Sequence, residues 1–445
     1  MRHVSPANIH QSTSHRNILR LAIPIILANA AVPLLGLVDT AVIGHSGTSA
    51  DLGAIAFGSL IFSFVYWGFG FLRMGTSGFT AQAAGAGDHN EVRAAYLRAL
   101  LLGAAIGLSL IIAHYPLGHF ALWLLDGSSA VEQGAADYWQ IRIWGAPATL
   151  GTYAIVGTLI GLGQTRKLLW LQLLLNGLNL LLDVIFVAGF DWGVRGIALG
   201  TLIAEWISFI VGTIILFKLL RPDARAPFAI WPAIFQRAAI IRTLKINSDI
   251  MWRTLFMLVG FGWFANQGAQ FGDTTLAANH ILLQFISFSA FFLDGFAFVL
   301  ESLIGKSIGA KNRYLFDRAI ITSTQIAALC ALGLMLIVGL GGSQFIYWLT
   351  PIATIQNAAQ SYLPYAAIYI LVSFAAFQLD GIFIGATASR AMRNAALVSL
   401  LIFLAAAELL TRAAGNHGLW LAFVIYVIAR AICLGYYLPQ LRRQI

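Results

Sequence analysis

Residues 168–189 read LLWLQLLLNGLNLLLDVIFVAG. As a helix rising 1.5 Å per residue this stretch extends about 33 Å, enough to cross a hydrocarbon core about 30 Å thick. Asn176, Asn179 and Asp183 interrupt it at spacings i, i+3 and i+7, which places all three on one helical face. An aspartate near a helix centre costs roughly 2.5–3.5 kcal/mol on insertion scales, so an acid in such a run normally faces a cavity or a partner. The stretch therefore reads as a transmembrane helix with one polar stripe.

The rest of the chain follows the same pattern. Of 445 residues, 59% are hydrophobic and only 10% charged, whereas soluble domains carry about 25% charged residues; the mean hydropathy is +0.81. Spans are expected at about 18–43, 52–80, 96–114, 132–161, 168–189, 196–217, 247–268, 275–305, 317–340, 356–386, 395–411 and 419–438, giving an all-α integral membrane protein of about twelve transmembrane helices. The polar residues 1–17 form an N-terminal tail, and the apolar run after them is too long for a signal-peptide core, so it reads as an uncleaved first helix. Cys330 and Cys433 are too isolated for a disulfide framework or a metal site, and the histidines show no zinc or catalytic spacing.

The net charge of +9 maps topology and does not imply a nucleic-acid partner. Twenty-one of the lysines and arginines fall on the side shared by the two termini, against only Arg195 and Arg412 on the other. That bias predicts cytoplasmic termini and a cytoplasmic 218–246 connection; residence in the plasma (inner) membrane is expected as well.

The 218–246 segment separates two halves, 18–217 and 247–438, with a short tail at 439–445. They align without a gap at a constant offset of 224: Gly44 falls on Gly268, Gly85 on Gly309, Tyr138 on Tyr362, and GTLIGLGQTR (157–166) on GIFIGATASR (381–390). Six helices per half give both halves one orientation, so the two six-helix lobes are expected to be related by a pseudo-two-fold axis along the membrane normal. A cleft between them is the expected substrate path.

Asp39 lies 19 residues beyond Arg20 in the first span and Asp183 lies 16 beyond Lys167 in the fifth, about 28 and 24 Å from the cytoplasmic ends. Thr201 enters the sixth span six residues after Arg195, about 9 Å from the opposite side. All three can meet at one depth, with Asn176 and Asn179 beside them. Two carboxylates with amide and hydroxyl oxygens make an all-oxygen set that can hold a hard monovalent cation or take up a proton. At the 224 offset Asp39, Asn179, Asp183 and Thr201 fall on Trp263, Phe403, Ala407 and Ile425, so the set has no twin. The bland alternative is a polar knot that joins helices.

Glu205, Asp294, Glu301 and Asp380 are further intramembrane acids, expected either along a substrate route or paired with a cation such as Lys306 or Arg253. Asp137, Asp249 and Glu408 lie nearer helix ends and are expected to be solvated. Pro24 and Pro33 fall inside the first span, where each removes a backbone hydrogen bond and favours a kink.

Six stretches, IPIILANAAVPLLGLVDTAVIGHSG (23–47), GLNLLLDVIFV (177–187), GVRGIALGTLIAEW (193–206), GDTTLAANHILLQF (272–285), LDGFAFVLESLIGKSIGAKN (293–312) and LDGIFIGATASRAMRN (379–394), together resemble the multidrug and toxic compound extrusion (MATE) transporters, most closely their DinF-like branch. The resemblance implies a two-lobed, V-shaped, twelve-helix fold that exports cationic, lipophilic small molecules in exchange for H⁺ or Na⁺, with no other cofactor; a monomer among membrane lipids is expected. It also implies that Asp39, Asn179, Asp183 and Thr201 form an amino-terminal cation site, and that Pro24 matches a proline proposed to bend on protonation. The branch that couples through its second lobe has an acid well inside the seventh helix. Here Asp249 sits at the cytoplasmic end of that helix instead.

The nearest competing function is a flippase of a lipid-linked or amphipathic substrate, which for anionic headgroups favours arginines along the cleft. Arg73, Arg142, Arg253 and Arg430 are the arginines that lie more than three residues inside the expected spans. A membrane-embedded enzyme would show clustered His, Asp or Cys motifs at one face, and none is present, so no catalytic activity is expected.

Overall fold

The computed structural model describes residues 13–46, 48–125, 128–220 and 231–445, with the side chains of 32–46, 49, 124 and 125 outside that description. Its regular structure is helical, and no strand occurs among the described residues. The first half contains α1 (His15–Ser46), α2 (Ser49–Gly68), α3 (Phe71–Gly85), α4 (His89–Ile112), α5 (His114–Leu125), α6 (Ser129–Arg142), α7 (Ala146–Leu162), α8 (Thr165–Asp183) and α9 (Gly193–Leu220). After the short α10 (Trp231–Ile234) come α11 (Arg237–Ala269), α12 (Asp273–Gly309), α13 (Arg313–Leu349), α14 (Ala353–Gly385), α15 (Ser389–Gly435) and α16 (Leu438–Arg442).

Nine helical stretches among the described residues are long and apolar enough to cross a membrane. The expected second span is broken at Phe69–Gly70 into α2 and α3. Conversely, the eleventh and twelfth expected spans run together as α15, interrupted only by non-helical backbone at Ala414 and Gly415. Large apolar side chains on the outside, such as Ile112 (83% exposed) and Leu340 (85%), have no place in water and face lipid.

The internal repeat is written in the backbone as well as in the sequence. Left-handed residues occur at Gly87 (φ 73°) and Lys311 (52°), at Gly163 (72°) and Thr387 (55°), and at Asp191 (58°) and Gly415 (56°), each pair separated by 224 positions. The residue after the first pair caps the next helix in the same way in both halves: Asp88 accepts from the Glu91 amide at 2.9 Å and Asn312 from the Leu315 amide at 3.0 Å. Close helix crossings also repeat. A methyl group on Gly157 or Gly161 would strike the carbonyl oxygen of Arg73 or Ser77, and one on Gly381 or Gly385 that of Ala297 or Glu301, again 224 positions on. Small residues let these backbones touch where no water is available to drive association.

The described chain divides into two compact units. One comprises Leu27–Ala84 with Asp88–Thr243; the other comprises Leu244–Ile445 with Gly85–Gly87 and the start of α1 through Ile26. Within the second unit an aromatic core gathers around Phe423, which stacks on Tyr369 at 4.8 Å and lies 4.5 Å from Phe264. In the first unit α8 lies along α9, and this pairing brings the polar stripe of 168–189 against the sixth span.

Candidate functional site

The stripe on α8 meets α9 as the spacing predicts. Asn179 and Asp183 are fully buried and Thr201 is 6% exposed. Asn179 Nδ2 donates to Thr201 Oγ1 at 2.9 Å, and Thr201 Oγ1 donates to the Ile197 carbonyl at 3.0 Å, holding the hydroxyl toward α8. Asn179 Oδ1 is buried without a hydrogen-bond partner among the described residues. Gly200, next to Thr201, lies so close to Asp183 that any side chain there would overlap Asp183 Oδ1. Glycine thus lets the α9 backbone approach the acid.

One turn before Asn179, Asn176 accepts from Gln172 Nε2 at 3.1 Å and donates through Nδ2 to the Ala31 carbonyl of α1 at 3.0 Å. Asn176 is therefore a strut between α8 and α1, whereas Asn179 keeps a bare oxygen. Asp39 belongs to the helical run of α1, but its side chain lies outside the described residues, as does that of Pro33. Pro24 is buried in the same helix.

Directly after Asp183 the α-helix gives way to a π-helical turn, Val184–Gly189. Such turns insert an extra residue and are frequent at functional sites. Sequence periodicity gives no sign of it.

Glu205, one turn beyond Thr201 on α9, is held in a buried ion pair with Arg142 at 2.5 Å. Arg142 also donates to Tyr138 Oη at 2.9 Å and lies 4.8 Å from the Phe62 ring centre. The other carboxylate oxygen of Glu205 is buried without a hydrogen-bond partner among the described residues. Arg142 is visible in the sequence as an arginine inside a span, but pairing it with Glu205 requires knowing that α6 and α9 are neighbours.

In the second unit Asp380 accepts from both Arg253 and Arg430, so the expected Arg253 partner is found and a second arginine joins it. Glu301 is buried at 1% exposure, and Asp294 is half-buried on the same helix. Asp249 departs from expectation: it is 4% exposed, accepting from Arg393 at 2.7 Å and from Ser389 Oγ at 2.9 Å. Its partners come from α15, about 140 residues away in sequence, and position along α11 alone does not reveal them. Asp137 and Glu408 pair with Arg195 and Arg412 at the surface. No group of three or more His, Cys, Asp or Glu suited to a metal occurs among the described residues.

Comparison with known proteins agrees with this architecture. The MatE family profile matches residues 24–185 and 256–407, one match in each half. The DNA damage-inducible protein F of Escherichia coli is 36% identical over 427 residues, covering 95% of this chain and 92% of that protein. The multidrug resistance protein NorM of Vibrio cholerae is 24% identical, covering 96% of each. Among solved structures, a variant of the Vibrio cholerae MATE transporter VcmN superposes with a TM-score of 0.86 at 20% identity, covering 98% of both chains. Two halves matched separately, near-full coverage by a relative of this identity and a shared helical fold place the chain in the MatE family of multi-pass MATE transporters, in its DinF-like branch.

Proposed function

We propose that the chain exports cationic, lipophilic small molecules in exchange for H⁺ or Na⁺, with Asn179, Asp183 and Thr201, joined by Asp39, as the coupling site. The observation that carries this reading is the bare, fully buried Asn179 Oδ1 on the same helical face as the buried Asp183. An unsatisfied acceptor in a low-dielectric interior costs about 1–3 kcal/mol. A bound cation removes that cost by taking the oxygen as a ligand. The hydrogen bond from Asn176 to Ala31 supports the place of Asp39. The first and fifth spans run in the same direction, and Asp39 lies eight residues beyond Ala31 while Asp183 lies seven beyond Asn176, about 12 and 10.5 Å along their helices. The two acids then share one level.

Antiport requires that cation and cargo disfavour each other, and linkage makes that effect reciprocal. Site occupancy must therefore change the affinity for cargo. The flippase reading is weakened because the buried arginines are engaged by acids of this chain, Arg142 by Glu205 and both Arg253 and Arg430 by Asp380. The test is uptake of a fluorescent lipophilic cation into proteoliposomes under separately imposed proton and sodium gradients. Wild-type protein should respond to one gradient and Asp183→Asn to neither; a variant that keeps the wild-type response would remove Asp183 from the coupling site.

A further inference from the structure

Where α6 meets α9, the two helices leave a groove of about 490 Å³ lined by Ile141, Trp192, Arg195 and Leu199. That volume falls in the range of small-molecule sites, about 300–1,000 Å³. Three of the four lining residues are apolar, and the fourth brings an ion pair to the rim: Arg195 Nε and Nη2 both reach Asp137 Oδ2 at 3.0 Å. The pairs Asp137–Arg195 and Arg142–Glu205 show that the two helices run in parallel. Ile141 lies four residues after Asp137, and Leu199 four after Arg195, so each helix sets an apolar side chain one turn beyond its charge. The groove is therefore polar at the end where both helices begin and apolar toward the middle of the membrane.

Both ends of the groove are fixed. At the polar end the π-helical turn and the left-handed Asp191 bring Trp192 into stacks with Phe186 at 5.2 Å and Phe190 at 5.3 Å. Trp192 and Phe190 are exposed there, as suits aromatic rings at a membrane–water interface. At the apolar end Trp206 Nε1 donates to the Trp144 carbonyl at 3.2 Å and closes the seam, about 10 Å beyond Leu199. Nor does the shared backbone alone make the groove. At the 224 offset Arg195 and Leu199 fall on Leu419 and Phe423, both fully buried, so the second unit fills the place that the first leaves open.

Charge decides the occupant. The Asp137–Arg195 pair sums to zero but holds its two signs apart, and it uses neither Arg195 Nη1 nor Asp137 Oδ1. A simple cation is repelled by the one residue and a simple anion by the other, whereas a zwitterion meets each with the opposite sign. Guanidinium matches phosphate. A carboxylate only accepts hydrogen bonds, which a primary ammonium donates and a quaternary one cannot. The apolar part of the groove takes a hydrocarbon chain, and the exposed rings of Trp144 and Trp206 beside it face lipid.

We infer that the groove between α6 and α9 binds one phospholipid with an ethanolamine headgroup from the adjoining leaflet. Its phosphate meets Arg195, its ammonium meets Asp137, and one acyl chain lies against Ile141 and Leu199. This site lies apart from the cation-coupling residues and stands or falls separately from that reading.

The experiment is thermal unfolding of the purified full-length protein in detergent, titrated with dioleoyl phosphatidylethanolamine, phosphatidylcholine or phosphatidylglycerol. Wild-type protein should gain stability saturably, with half-saturation at least about threefold lower for the ethanolamine lipid than for the other two. Asp137→Asn should lose that preference while still responding to phosphatidylcholine, and Leu199→Trp, which fills the groove, should weaken the response to all three. In wild-type proteoliposomes, phosphatidylethanolamine carrying a diazirine on its acyl chain should label α6 or α9 around Ile141 and Leu199. Unlabelled phosphatidylethanolamine should compete with this labelling and a lipophilic cation should not; this measurement decides the matter if either variant does not fold. Equal half-saturation by the three lipids in wild-type protein, a preference retained in Asp137→Asn, or labelling absent from both helices would each overturn the assignment. Competition by the cation would overturn it too, by making the groove a route for cargo.

Discussion

Asn179 Nδ2 donates to Thr201 Oγ1 at 2.9 Å, so the hydroxyl on α9 fixes which way the α8 amide turns. With its nitrogen held, Asn179 has only the oxygen to present elsewhere. Thr201→Val deletes the acceptor while keeping the shape, leaving a buried amide donor unsatisfied at a cost of about 1–3 kcal/mol. The expected result is a lower unfolding midpoint together with weaker gradient-driven export, both restored by Thr201→Ser. Normal export by the valine variant would show that the orientation of Asn179 does not matter.

The Arg142–Glu205 pair makes a second prediction. Both charges are buried, so Arg142→Met alone strands a carboxylate and should destabilise the protein by about 3–5 kcal/mol, whereas Arg142→Met with Glu205→Gln should recover much of the loss. Unfolding midpoints of the two variants decide it; a double variant no more stable than the single one would mean that Arg142 acts mainly through Tyr138 and Phe62.

Helix crossings at glycine should tolerate no methyl group. In Gly381→Ala the new carbon would fall 2.5 Å from the Ala297 carbonyl oxygen, and backbone cannot rotate away as a side chain would. A loss of about 1–3 kcal/mol is expected, with a similar loss for Gly157→Ala in the other half. An alanine variant as stable as wild type would show that α12 and α14 can part without cost.

Thr387 is a β-branched residue in the left-handed region, at φ 55°, where its repeat mate is Gly163. Left-handed backbone costs an L-residue about 1–2 kcal/mol, offset in part by the flexibility a glycine adds to the unfolded chain. Lys311, exposed and at φ 52° where its repeat mate is Gly87, bears the same backbone cost, so Lys311→Gly should raise the unfolding midpoint, by a net of about 0.5–1 kcal/mol. A lowered midpoint would mean that the flexibility a glycine adds to the unfolded chain outweighs the left-handed strain.

Much of this was legible in the sequence because the membrane imposes simple rules. Length and hydropathy located the helices, and the constant offset located the repeat. Asn176, Asn179 and Asp183 fell on one face because helical geometry leaves no alternative. Depth arithmetic brought Thr201 to them without any knowledge of packing. What escaped depended on which helices are neighbours: Arg142 with Glu205, 63 residues apart, and Asp249 with Arg393, 144 apart, are pairs that no local pattern encodes. The π-helical turn after Asp183 escaped for another reason, since one added residue barely perturbs an all-apolar run.

Topology is open to a direct test. In a cysteine-free background, thiols placed at the exposed positions Ser129 and Gln444 should react with an impermeant reagent from opposite sides of the membrane, Gln444 only from the cytoplasm. Reaction of both from one side would invert or break the assignment.

The duplicated crossings and turns have a practical consequence. Any substitution at Gly157, Gly161 or Gly163 has a counterpart at Gly381, Gly385 or Thr387 in the same backbone setting, made in the same molecule and measured in the same detergent. Each half is an internal control for the other. Where two such variants lose stability equally but only one loses transport, the difference belongs to what that half does and cannot be blamed on how it folds.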